Sequence, residues 1–162
     1  MNYINDRLQF VCEYISEKPV ENFLSHKDLD IPFCLSWANH TWRRTWGGKE
    51  RTVLLNQTYG DEQEWKKHYE YLRPYFCDKR YIFIENKPVL VIFRPKDIPQ
   101  GMYELWNDLA IKDGYAGISF MSQDNHFNKE ELENSPYFAY GIDYQPDRAK
   151  SELLNTMPYI YK

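Results

Sequence analysis

The sequence has no apolar run that approaches the length of a bilayer span, no glycine-rich phosphate loop, no G-x-S-x-G nucleophile elbow and no Cys-x-x-Cys pair. A membrane-spanning helix, phosphate-loop nucleotide binding, serine hydrolysis and thiol redox chemistry are therefore without support. Cysteine is scarce: Cys12, Cys34 and Cys77 are odd in number, widely spaced and set among apolar or aromatic residues. They read as reduced structural thiols rather than disulfides or metal ligands. The four histidines are too scattered to predict zinc, and no cofactor is expected. Neither sign of charge dominates. The net charge is −4, and Lys and Arg are scattered, so there is no footprint for nucleic acid or an anionic membrane. The first residues, MNYINDRLQFVCEYISEK, carry acids and lack an uninterrupted apolar segment, so no signal peptide is read and a cytoplasmic location is expected. Repeats, low-complexity tracts and linkers are absent too, which leaves one domain over residues 1–162.

What the chain does have is aromatic rings. Tyr, Phe and Trp number 14, 9 and 5, a share of 17%, against an ordinary 43% hydrophobic and 27% charged content. Most of the Tyr are expected in the core, and some rings at a recognition surface, because Tyr and Trp join an apolar body to a polar handle.

The organising stretch is Ile31–Trp46, IPFCLSWANHTWRRTW. Its first seven residues are uncharged and β-favouring, and predict a strand covered on both faces. A loop with two Trp and two Arg follows. Upstream, Asp6–Ser16 has helical spacing and Pro19 is expected to open a short second helix. Downstream, Thr52–Gln57 reads as extended, and Asp61 caps a helix from Glu62 to about Phe76 with Trp65, His68, Tyr69 and Leu72 on one face. Arg80–Ile84 and Pro88–Phe93 flank a tight turn at Glu85-Asn86-Lys87, with Pro88 at the first position of a central strand. Pro99–Asp113 predicts a helix with Met102, Leu105, Trp106 and Leu109 inward and Gly114 as its stop. Gly117–Met121 and Gly141–Tyr144 read as strands, with a short helical stretch capped by Asn128 between them. Such alternation means parallel strands with right-handed crossovers. About four core strands are counted, where a closed barrel needs eight and roughly 250 residues. The chain is therefore either a small open α/β domain or part of a barrel.

The strand ends hold the chemistry. They offer Asn39 with His40, Trp42, Arg43 and Trp46; Arg94; Gln123, Asp124 and His126; and Asp143 with Gln145. Amides, indoles and guanidinium groups predominate, which suits hydroxyl-rich rings. A sugar is the ligand class expected, with Asn39, Trp42, Arg43, Trp46, Gln57, Arg94 and Gln123 as its binding residues. Arg43 and Arg44 are also suited to gripping a phosphate or carboxylate. Proton transfer at a glycosidic bond needs two carboxyl groups at a defined separation, and Asp124 and Asp143 are the only strand-end acids. They and His40 are the weak catalytic candidates. Each has an ordinary structural role as alternative: a turn or helix cap for the Asp, a hydrogen-bonded packing residue for the His. His26 and His68, on helices, read as surface or packing residues.

Five stretches taken together resemble a known family: EKPVENFL (Glu17–Leu24), PFCLSWAN (Pro32–Asn39) with the TWRRTW after it, VLLNQTY (Val53–Tyr59) and DKRYIFIENKPVLVIFRP (Asp78–Pro95). The family is the WbsX-like group of glycosyltransferases and glycoside hydrolase family 99-like domains. The resemblance is dense from Glu17 to Pro99 and thins toward Asp147, where GIDYQP looks like a later barrel strand. It implies an α/β fold of the (β/α)8 TIM-barrel type acting on glycans in O-antigen or capsule synthesis. It also implies two missing parts, an upstream strand with a Gly-Phe-Thr-Glu-Trp-like motif and a downstream Asn-Glu-Trp-x-Glu-Gly-like motif that would hold the catalytic carboxylates. The family usually has Glu where His40 stands and Asp where Gly47 stands, so neither position carries a family role across.

The expectation is thus a partial barrel of about four central parallel strands with flanking helices. It would be an internal portion of a carbohydrate-active protein, inactive alone, and prone to self-association or in need of a missing barrel segment. The competing readings are a non-catalytic glycan- or partner-binding α/β module, and an active enzyme using His40, Asp124 or Asp143.

Overall fold

Pro88, Val89, Leu90, Val91 and Ile92 are all buried, and they fix the middle of the fold as strand β5, Lys87–Ile92. A run with no polar side chain can only sit where both faces are covered. The computed structural model describes residues 11–44, 52–123, 134–142 and 160–161. Three helices, α1 (Val11–Ser25), α2 (Glu62–Phe76) and α3 (Gln100–Lys112), accompany strands β1 (Leu35–Trp37), β2 (Trp42–Arg43), β3 (Val53–Leu55), β4 (Phe83–Ile84), β6 (Ser119–Gln123), β7 (Phe138–Ile142) and β8 (Ile160–Tyr161).

The main sheet has the order β1-β5-β6-β7-β8, with β4 folded back on β5. The pairs β1/β5, β5/β6 and β6/β7 are parallel, so four neighbouring strands run one way as expected. β8 adds an antiparallel partner to β7 that the sequence did not suggest. No closed sheet forms among the described residues. The β4–β5 turn has positive φ at both Glu85 (51°) and Asn86 (60°), the geometry that two-residue hairpins prefer. Pro88 is the second strand residue rather than the first, opposite Phe83.

Side chains alternate across β5. Leu90 and Ile92 face α2 and α3, joined by Tyr69, Phe76, Trp106 and Phe120 in one cluster. Val89 and Val91 form a second cluster on the other face with Met121, against Cys34, Tyr140 and Ile142. The α2 start is a capping box: Asp61 Oδ1 accepts from the Gln63 and Glu64 amides while Glu64 Oε2 accepts from the Asp61 amide. In α3 the inward residues are Met102, Tyr103, Trp106 and Ala110, whereas Leu105 and Leu109 are half-buried. Trp106 Nε1 donates to the Trp65 carbonyl at 2.9 Å and ties the two helices together.

Three expectations need correction. Pro19 does not open a new helix but lies inside α1. The lost proline hydrogen bond is tolerated because the end of α1 is held from outside: Val20 and Leu24 pack on the core, and Arg80 donates to the carbonyls of Phe23, His26 and Leu29. The strand expected over Ile31–Trp37 is a ladder only at Leu35–Trp37, at one end of the described sheet, with Ser36 and Ile31 exposed. Its first half bonds elsewhere, Phe33 accepting from the Ile82 amide and donating to the Arg80 carbonyl. The Trp/Arg loop is in part strand: Trp42 pairs with Leu55 and Arg43 with Val53, antiparallel, which leaves Leu54 as an extra, unpaired residue.

Candidate functional site

β1 and β5 run parallel, so their carboxyl ends lie side by side, and each leads directly into polar residues. Beyond β1 come Asn39, His40 and Thr41; beyond β5 come Phe93 and Arg94. A cavity of about 410 Å³ opens there, lined by Asn39, His40, Thr41 and Arg43 on one side and by Gln57, Tyr59, Arg94 and Asp97 on the other. Its size is that of a small-ligand pocket.

Asn39 is completely buried, 0% exposed, and both ends of its amide are engaged. Nδ2 donates to the Arg94 carbonyl (2.7 Å) and to the Tyr59 hydroxyl (3.0 Å), while Oδ1 accepts from the Arg94 amide (2.7 Å). The Tyr59 hydroxyl in turn donates to the Asn39 carbonyl at 3.2 Å. Asn39 thus extends the β1–β5 pairing by one side-chain step and fixes Arg94 at the cavity wall. Burial pushes the Tyr59 hydroxyl pKa up, so the phenol stays protonated as this network requires.

His40 packs its ring against Phe93 at 4.7 Å and stacks with Trp42 at 6.2 Å. Desolvation, helped by the nearby Arg94 charge, lowers its pKa below the ordinary 6.5, so the imidazole is neutral at neutral pH. The bulge at Leu54 lets Trp42 and Arg43 be aimed independently, as bulges beside sites do. Trp42 is half-buried and Arg43 is exposed at the rim. Buried indole nitrogens of Trp37 and Trp42 find no hydrogen-bond partner among the described residues.

Thr41 Oγ1 accepts from the Gln57 amide (3.2 Å) and lies 3.3 Å from Asn56 Oδ1, joining the β2 side of the cavity to the segment after β3. Gln57 Nε2 donates to the Thr58 carbonyl, leaving its Oε1 and a second N–H for the cavity. Arg94 Nη1 stands 3.8 Å from Asp97 Oδ2, with both side chains about half exposed.

The cavity therefore brings together Asn39, Arg43, Gln57 and Arg94, with His40, from the residues singled out in the sequence. Trp42 stacks beside it without lining it. Gln123 lies apart, accepting from Ser36 Oγ at 3.4 Å across the sheet. Trp46, Asp124 and Asp143 fall outside the described residues. Thr41, Tyr59 and Asp97 were missed. The sequence offered Tyr59 only as the close of VLLNQTY, and Asp97 only as the third residue after Arg94. The arrangement donates and accepts hydrogen bonds over a polar floor, and among the described residues it holds one carboxylate, Asp97. No group of three or more potential metal ligands occurs among the described residues.

A second cavity, about 330 Å³, lies at the opposite end of the strands, where Glu85, Lys87, Asn107, Ile111 and Tyr137 are among its walls. His68 is buried against Trp37 and Trp106 as a packing residue. No helix among the described residues is long and apolar enough to cross a membrane.

Comparison with known proteins adds a family. The model described as Glycosyltransferase WbsX matches residues 9–158. Two curated relatives, both called uncharacterized protein WxcX, come from Xanthomonas campestris pv. campestris, strains B100 and ATCC 33913. Each is 26% identical over 91 residues, which is 56% of this chain and 13% of the relative. The match thus spans about an eighth of those proteins' length. No solved structure matches the chain significantly.

Proposed function

Because this chain belongs to the glycosyltransferase WbsX family, we propose that it serves polysaccharide biosynthesis by holding a saccharide in the cavity beyond the carboxyl ends of β1 and β5. The observation that carries the reading is the position of that cavity. In α/β folds ligands collect beyond the carboxyl ends of parallel strands, and this one has hydroxyl, amide and guanidinium groups on its walls. Arg43, Gln57 and Arg94 contact the sugar in this reading. Asn39 and Tyr59 position Arg94, and Trp42 backs the rim through His40.

The scaffold is read as a single domain and as part of a (β/α)8 barrel. Strand order supports this: β1, β5, β6 and β7 are neighbours in the order in which the chain makes them. Right-handed crossovers that always advance in one direction put successive helices on one face, and α2 and α3 do share a face and a core. A doubly wound sheet would reverse its order at a switch point. Two-carboxylate chemistry needs a pair, and among the described residues Asp97 is the one acid lining the cavity, so the reading stops at binding.

The test is a glycan array probed with the intact chain and with Gln57→Ala and Arg94→Ala. Binding of particular saccharides that both substitutions weaken supports the reading. Absence of saccharide binding, or binding that neither substitution alters, contradicts it.

A further inference from the structure

Resting on the reading of the cavity as a saccharide site, we propose that the sugar it takes is anionic, with a carboxylate or phosphate oxyanion held by Arg94 and Arg43. The reason is how this chain spends its guanidinium groups elsewhere. Arg80 uses all five of its N–H donors, two on Asp78 and three on backbone carbonyls. Arg73 is paired with both Glu70 and Asp113. At the cavity the pattern is different. Among the described residues Arg94 has a single acid near it, Asp97 at 3.8 Å, beyond hydrogen-bond distance. The Arg43 guanidinium makes no hydrogen bond or ion pair with another described residue. Two planar forks therefore face one loosely placed carboxylate, in a protein whose net charge is −4.

Arg94 is also held ready. Its backbone N–H and C=O are both bonded to the Asn39 side chain, and its guanidinium carbon lies 5.9 Å from the Phe93 ring centroid. A fork whose root is fixed loses less freedom when an anion docks, and a guanidinium matches a carboxylate or phosphate edge with two parallel hydrogen bonds. Gln57, with an amide oxygen and one N–H to spare, is placed to read the hydroxyls of the same ring. Neutral sugars would use Gln57 and leave both arginines without a partner anion.

The experiment is a calorimetric titration of the intact chain with D-glucuronate, D-galacturonate, glucose 1-phosphate, D-glucose and inorganic phosphate, at low and high salt. At least one anionic sugar is expected to bind about tenfold or more tightly than glucose and to weaken with salt. Uronate against sugar phosphate then tells which oxyanion is meant. Arg94→Gln and Arg43→Gln should each cost about tenfold on the anionic sugar. They should weaken glucose binding less than binding of the anionic sugar and leave the circular dichroism spectrum unchanged. Equal binding of neutral and anionic sugars overturns this inference and leaves the saccharide site standing. Binding of inorganic phosphate alone, or of none of the probes, overturns both.

Discussion

The side chain of Asn39 pairs with the backbone of Arg94 at two points, accepting from its N–H and donating to its C=O, each at 2.7 Å. An amide side chain here does the work of one more strand residue. It closes the end of the β1–β5 ladder and sets one wall of the cavity, so stability and site geometry depend on the same pair.

Asn39→Ala should therefore cost more than a surface substitution. It leaves the Arg94 amide and carbonyl and the Tyr59 hydroxyl without their buried partner, at a cost of about 3 kcal/mol. Urea unfolding monitored by fluorescence measures the loss. A change under 0.5 kcal/mol would show that water replaces the amide without penalty.

The side chains of Asp78 and Arg80 are both 2% exposed and bonded through Nε and Nη2. Asp78→Asn removes the charge while Arg80 remains buried against Phe23 and Phe33, and should destabilise the chain by about 3 kcal/mol. The hydrogen bonds from Arg80 outweigh desolvation and hold the Asp78 carboxyl far below its ordinary value of 3.8. The pair's contribution is thus present above pH 3.8 and is lost as pH falls toward the folded-state value. Because Arg80 holds the carbonyls at the end of α1, amide exchange of α1 should accelerate most in this variant.

His40 should titrate below 6.5 in the folded chain, with desolvation as the main cause and the Arg94 charge as the second. Between the folded value and 6.5 the unfolded chain binds more protons than the native one. Acidification through that window therefore removes stability, and this group adds no pH dependence above it. An NMR titration of the imidazole checks the value, and Arg94→Gln should raise it. A pKa at or above 6.5, unmoved by that substitution, would contradict the placement of His40.

Much of the frame was legible because single residues decide it locally. Lys-Pro-Val-Leu-Val-Ile has nowhere to go but the centre of a sheet, and Asp61 with Glu64 marks the α2 start without tertiary help. Where the reading failed, the deciding partner was distant in sequence. Pro19 stays helical beside a cap supplied by Arg80, and Ile31 is exposed because Phe33 pairs with the segment around Tyr81. Two-residue β2 carries no periodicity, and only its bulged pairing with Val53–Leu55 defines it. At the site, strand-end position was enough to gather Asn39, Arg43 and Arg94. Tyr59 enters only through its contact with Asn39, twenty residues away, and Asp97 only through the turn that brings it near Arg94, three residues before it.

Chemical-shift mapping of the ¹⁵N-labelled chain with the saccharide selected on the array tests the whole account most directly. The largest shifts are predicted at the Asn39 and Gln57 side-chain amides, the Thr41 amide and Arg94 Nε. Shifts gathered instead around Asn107 and Tyr137, at the opposite end of the strands, would contradict it.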